Sequence, residues 1–224
     1  MPHPKQLIVE GVDDLSAISN LARARFADFK KDRKYLVEIK SGDGVKKILV
    51  KSYIDAILKQ SGLEAIGFVF DADDEPNKRW KNFRNLLNSY YPDIPKLLPN
   101  DGLIVEQTEK PRLGFWMMPD CQSQGMLEDF LHHLVPNHAK DAVWNYAKEA
   151  TSAAKTHGAP YKKAHRTKAE IHTWLAWQDE PGKRFGAALA AKILDPHAAT
   201  AQPFLKWFEE LFNLTLSPSP AVTP

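Results

Sequence analysis

The chain has 224 residues, 43% of them hydrophobic and 26% charged, and carries a net charge of +2. That is enough for one good core, or one domain with a substantial extension, and it supplies no overall basic field, so any contact with nucleic acid must come from local patches. The single Cys121 excludes an internal disulfide and leaves no basis for a cysteine zinc site; the N-terminus has no signal-peptide apolar region and no run is long enough to span a membrane, so a cytoplasmic protein without a membrane partner is expected.

Leu7-Ile8-Val9 is a short apolar run that ends in Glu10 and Gly11 and reads as a strand. Apolar residues at Leu15, Ile18, Leu21, Ala22 and Phe26 then recur at helical spacing over 13–29, with Asp13 or Asp14 as the cap. The basic run from Lys30 to Lys34 reads as the solvated end of that helix more readily than as a phosphate contact. A strand is expected at 35–39, a turn at 41–44 and a helix ending near Gln60, with Tyr53, Ile54, Ile57 and Leu58 on one face.

Ile66 to Phe70 reads as a strand buried on both faces. It ends abruptly in Asp71, Asp73, Asp74 and Glu75, and Pro76 suits the first position of a following helix. Acidic residues there also cap a helix and complement its dipole, and Asp74 or Glu75 could do only that. A strand that delivers carboxylates into a turn before a helix, however, places them at the carboxyl edge of a sheet, where ligands bind in open α/β folds. If the runs at Leu7 and Ile66 are parallel neighbours about 5 Å apart, Glu10, Asp71 and Asp73 come within reach of one divalent ion. So many negative charges would repel unless a cation or protons compensated them, and hard oxygen donors suit magnesium or manganese.

The helix expected over 77–91 turns Trp80, Phe83, Leu86, Leu87 and Tyr90 inward and Lys78, Arg79, Lys81 and Arg84 outward, either toward solvent or toward a nucleic-acid backbone. Strands are expected at 103–105 and 113–118, and everything beyond Met126 reads as helix: one stopped by Pro136, then 140–155, 167–178, 184–194 and 203–214. Thr167 and Glu170 have the spacing of a capping box, which puts Lys168 in a first helical turn where a cation opposes the dipole. Lys162, Lys163, His165 and Arg166 make this the densest basic stretch of the chain. His132 and His133 are consecutive on a helix and should face apart, so no metal site is expected of them. There is neither a P-loop nor a Gly-x-Ser-x-Gly elbow.

Val9-Glu10-Gly11, followed about sixty residues later by Asp71-x-Asp73, each after an apolar strand, resembles the Toprim family. The resemblance spans roughly the first 120 residues, with an interval between the motifs long enough to imply an insertion. It implies a mostly parallel Rossmannoid α/β sheet over 1–136; the helical periodicity beyond it reads as an extension packed on that sheet over 137–214, and the Ser/Pro-rich end as a disordered tail over 215–224. It implies Glu10, Asp71 and Asp73 as metal-binding and catalytic residues, with Mg2+ or Mn2+ as cofactor. Within the family, the OLD-type nucleases carry a further Leu-Glu at a second metal site and a lysine beyond the acidic motifs, positions matched here by Glu128 as a metal ligand and Lys168 as a catalytic cation. The implied function is metal-dependent cleavage of nucleic acid, DNA before RNA, in prokaryotic defence or repair and with a separate ATPase as a partner. Two alternatives stand beside it: a non-catalytic Toprim module that binds a partner protein, as in recombination mediators, and a phosphoesterase acting on a small nucleotide.

Overall fold

A computed structural model describes residues 2–31 and 34–217. Its chain order is β1 (Lys5–Val9), α1 (Val12–Arg25), a two-residue hairpin of β2 (Lys30–Lys31) and β3 (Lys34–Tyr35), β4 (Glu38–Ser41), α2 (Val45–Ile48), α3 (Lys51–Leu58), β5 (Ala65–Asp71), α4 (Pro76–Leu87), β6 (Leu103–Val105) and β7 (Arg112–Met118). Then come α5 (Leu127–Leu131), which runs into a 3-10 turn at His132–Leu134, α6 (Ala142–Thr156), α7 (Arg166–Ala176), α8 (Phe185–Ala190) and α9 (Gln202–Phe212).

The expected mostly parallel α/β sheet is present, with five strands in the order β4-β1-β5-β7-β6. All neighbours are parallel except β6, which runs antiparallel to β7 at one edge. The chain leaves β1 through α1 toward β4, and leaves β5 through α4 toward β7. The two connections diverge, so the strand order reverses between β1 and β5, which defines a ligand crevice at the carboxyl ends of these two strands. In this Rossmann-like arrangement β5 is buried along nearly its whole length, as its unbroken apolar run requires.

Strand alternation assigns the layers. Phe68 and Phe70 of β5 and Phe115 of β7 pack their rings on Phe83 of α4. On the opposite face, Trp116 meets Phe204 and Trp207 of α9, and Phe26 at the end of α1 stacks on Phe208. Two glycines let α9 approach the sheet. A Cβ at Gly67 would come within 2.7 Å of Leu7 and 2.8 Å of Leu211, and one at Gly114 would strike the same leucine and the Trp207 ring. One continuous apolar core therefore includes both the sheet and the C-terminal helices.

Local details depart from the periodicity. Helix α1 ends at Arg25, and Lys30, Lys31 and Lys34 of the basic run after it lie in the paired strands β2 and β3 rather than at a helix end. The expected strand at 35–39 is interrupted at 36–37, and the helix after the turn is broken in two at 49–50. Leu216 pairs with Phe26 and the Ser217 amide bonds to the Arg25 carbonyl at 2.7 Å, while the rest of the expected tail, 218–224, lies outside the described residues.

Gly114→Ala and Gly67→Ala should each destabilise the protein by about 1–3 kcal/mol, the range for overpacking a dense core. Adding Leu211→Ala to either variant should cost less than it does in the wild type, because the collision is with that side chain. Chemical denaturation of the four-member cycle measures this, and strict additivity would exclude α9 packing as the reason for the glycines.

Candidate metal centre

Because β1 and β5 pair in parallel with Val9 opposite Val69, Glu10 and Asp71 emerge side by side where the ladder stops. Glu10 Oε1 accepts a 3.0 Å bond from the Asp71 amide, and Asp71 Oδ1 accepts one of 2.9 Å from the amide of Leu127, the first residue of α5. Asp73 sits in the left-handed backbone region (φ 51°), held by reciprocal bonds of 2.8 and 3.0 Å with the backbone of Gly125. Left-handed backbone on a non-glycine residue is strained and persists where the surroundings over-determine it, and here it turns the Asp73 carboxylate to Arg79.

Helix α5 turns Glu128 inward until it is 3% exposed. Its partner is Lys168 Nζ at 2.7 Å, delivered from the first turn of α7. The fifth carboxylate is Asp14, near the start of α1, which is 9% exposed and accepts a 3.1 Å bond from the Gly11 amide.

The electrostatics follow from crowding carboxylates in a partly dry crevice. Burial is the largest influence on Glu10 and pushes its carboxyl up to about 7, with Asp14 and Asp73 adding to the rise and Arg79 and the Asp71 amide opposing it. Burial raises Asp14 to about 6, reinforced by Glu128 and Asp13. Asp71 is raised well above the ordinary carboxyl range by burial and then by Asp14, Glu10, Glu128 and Asp73. Burial works against the charge on Lys168, yet its bond to Glu128 outweighs this and holds the ammonium above its ordinary value. Five oxygen-donor side chains thus share one negative field, and their chemistry fits a hard divalent ion such as Mg2+ or Mn2+.

The structure brings the expected Glu10, Asp71, Glu128 and Lys168 together, and places Asp73 at the rim, paired with Arg79. In the sequence Asp14 is only a candidate helix cap; its inward turn is set by the α1–sheet packing, and its spacing of four residues from Glu10 is the one local signal of it. The capping box at Thr167 is not formed. Helix α7 begins at Arg166, whose Nε binds Glu170 at 2.7 Å, so Glu170 serves an i,i+4 ion pair instead. The outward cations of α4 are largely engaged: Arg79 with Asp73, Lys78 with Glu75 at 2.7 Å, and Arg84 with the carbonyls of Ile94 and Pro95.

The expectation that His132 and His133 face apart is corrected. The 3-10 turn and the chain reversal after Pro136 bring their rings together with that of His138. Among the described residues, it is these three whose ligand atoms all lie within 4.8 Å of one another, while the carboxylates stand wider apart. A larger apolar groove of about 850 Å3 lies elsewhere, among Leu15, Tyr35, Val37 and Ile39.

Fold and site together define a Rossmann-like α/β protein with an acidic cluster at its strand-order reversal. Residues 4–213 match the family model described as "Protein of unknown function (DUF3226)", and the chain belongs to that family. No curated protein and no solved structure matches the chain.

The raised Glu10 carboxyl makes stability depend on pH with a definite sign. Between its ordinary 4.5 and about 7 the folded chain keeps a proton that the unfolded chain releases. This contribution, on the order of 3 kcal/mol, is complete below 4.5 and lost as pH rises through 7. The melting temperature in a chelator should therefore fall from pH 5 to 8 more steeply for wild type than for Glu10→Gln. Equal slopes would show that Glu10 titrates normally.

Proposed function

We propose that the chain is a divalent-metal-dependent nuclease that cleaves phosphodiester bonds in nucleic acid, DNA in preference to RNA. The observation that carries this reading is the gathering of Glu10, Asp14, Asp71 and Glu128 at the strand-order reversal, with a lysine already bonded to one of them. Magnesium or manganese, held by Glu10, Asp71, Asp73 and Glu128, would polarise the phosphoryl oxygens and lower the pKa of bound water.

The side chains supply the rest. Glu10, with its carboxyl near 7, is poised to accept or return a proton at neutral pH. Lys168 holds a positive charge beside the carboxylates and can turn it on the charge that develops at phosphorus. Arg79 balances Asp73 at the rim. Lys162, Lys163 and Arg166 are exposed next to Lys168 and supply a local basic edge for the polynucleotide backbone, which the net charge of +2 does not provide. The likeness of Glu10-Gly11 and Asp71-x-Asp73 to the Toprim pattern supports the same assignment. With it come a place in prokaryotic defence or repair, a separate ATPase subunit as partner and a cytoplasmic setting. Among the described residues no helix is long and apolar enough to cross a membrane.

One observation favours a second reading, hydrolysis of a small nucleotide ester. A cavity of about 300 Å3 beside the cluster, lined by Asp73, Asp74, Glu75, Lys78, Arg79 and Asn82, has the dimensions of a small-ligand site. Salt dependence separates the two, because a polynucleotide loses phosphate contacts as salt rises and a small ester does not.

Nicking of supercoiled plasmid and cleavage of single-stranded oligonucleotides should appear with Mn2+ or Mg2+ and decline steeply between 50 and 200 mM salt, roughly the span over which such contacts weaken. Asp71→Asn should lower the rate by at least 100-fold, and Lys168→Ala by about 100-fold, the usual loss when a group stabilising the transition state is removed. Cleavage that persists in Asp71→Asn would place the chemistry elsewhere. Metal-dependent hydrolysis of a nucleotide ester without plasmid cleavage would favour the second reading.

A further inference from the structure

The turn after α5 gathers three imidazoles that the acidic centre does not use. His132 Nδ1 and His138 Nε2 stand 3.0 Å apart. The His133 ring centroid lies 3.8 Å from that of His132 and 5.2 Å from that of His138. Backbone sets this convergence. The chain leaves the 3-10 turn at Pro136 and reverses through Asn137 in the left-handed region (φ 51°). The His138 amide bonds to the Val135 carbonyl at 3.0 Å, and the amides of Lys140 and Asp141 both bond to the Asn137 carbonyl, at 2.7 and 3.0 Å. Trp144 walls the cluster on one side, with its ring 5.9 Å from His132 and 5.6 Å from His138. On the other side His133 is exposed and, with His132, borders a cavity of about 350 Å3 that also reaches Asp120 and Asp129.

We propose that His132, His133 and His138 form a binding site for a borderline transition-metal cation, best suited to Zn2+ and separate from the acidic centre. Three neutral imidazoles are nitrogen donors, which prefer zinc over magnesium, whereas the carboxylate cluster has the opposite preference. The spacing agrees. Two nitrogens at the usual zinc distance on a tetrahedral ion stand about 3.3 Å apart, so the His132–His138 pair needs to open by only about 0.3 Å, from its present 3.0 Å. The donor ring of that pair shifts its proton to its other nitrogen, and no net proton is lost. Stacking on Trp144 accounts for His132 and His138 alone; it gives the exposed His133 no reason to bring its ring nitrogen to the same point. Asp120 and Asp129 face His133 and favour a cation, while Lys148, facing His132 and His138, opposes one. The fourth coordination position is left to water, which the adjoining cavity can supply.

The test titrates untagged, chelator-treated protein with Zn2+ by calorimetry, and with Co2+ by visible absorption, in which a tetrahedral nitrogen site absorbs far more strongly than an oxygen site. Wild type and Glu10→Ala/Asp71→Ala should each bind one equivalent of Zn2+ with the same affinity and give the strong Co2+ spectrum. His133→Ala, whose side chain is exposed, and His138→Ala should bind at least tenfold more weakly and lose the spectrum. Their melting in the absence of metal shows whether the fold persists. Zinc binding unchanged in both histidine variants, or abolished in the carboxylate variant, would overturn the proposal, as would a wild type that binds no zinc. None of these outcomes bears on Mg2+-dependent cleavage, which is measured separately.

Discussion

Everything at the candidate site depends on the parallel pairing of β1 with β5. The two strands meet in register, with Val9 opposite Val69, and their onward connections run to opposite sides of the sheet. The ladder therefore ends in an open crevice rather than under a crossover. The Asp71 amide lies just beyond the last paired residue of β1, and Glu10 takes it. A slip of one residue would send the carboxylate to the other face of its strand and break this bond.

The second constraint is electrostatic. Carboxylates that approach one another in a partly dry crevice must be neutralised or protonated. Two of them have cations: Arg79 for Asp73 and Lys168 for Glu128. For Glu10, Asp14 and Asp71 the outcome is a raised proton affinity. The same repulsion makes the crevice receptive to a divalent cation, which ties the geometry of the crevice to the proposed nuclease chemistry. Local strain at Asp73 belongs to this balance, since the left-handed turn carries its carboxylate out to Arg79.

The C-terminal helices are structural partners of the sheet and also contribute to the site. Helix α9 closes one sheet face over Gly67 and Gly114, α8 packs on α1, and α7 carries Lys168 against α5. The cation at the centre is thus placed by packing among α5, α6 and α7. The histidine turn lies between α5 and α6, where both rings and backbone are held by the same helices.

Local sequence is enough to specify the buried strand at Ile66–Phe70, the acidic turn after it, Pro76 at the head of α4, and the alternation of strands and helices that makes an α/β sheet. These are local consequences of apolar periodicity and proline geometry, so neighbouring residues suffice to specify them. Lys168 also stood out, as a cation in a first helical turn, and the structure supplies Glu128 as its compensation. Tertiary structure alone decided that β1 lies beside β5, that Asp14 turns into the crevice rather than only capping α1, and that Glu170 bonds to Arg166 instead of closing a capping box on Thr167. It alone brought His138 back onto His132 and His133, because an ideal helix would have kept the first two apart and the reversal at Asn137 has no periodic signature. Strand order, side-chain burial and the meeting of groups distant in the chain depend on the packing of the whole core, and no local window of sequence contains it.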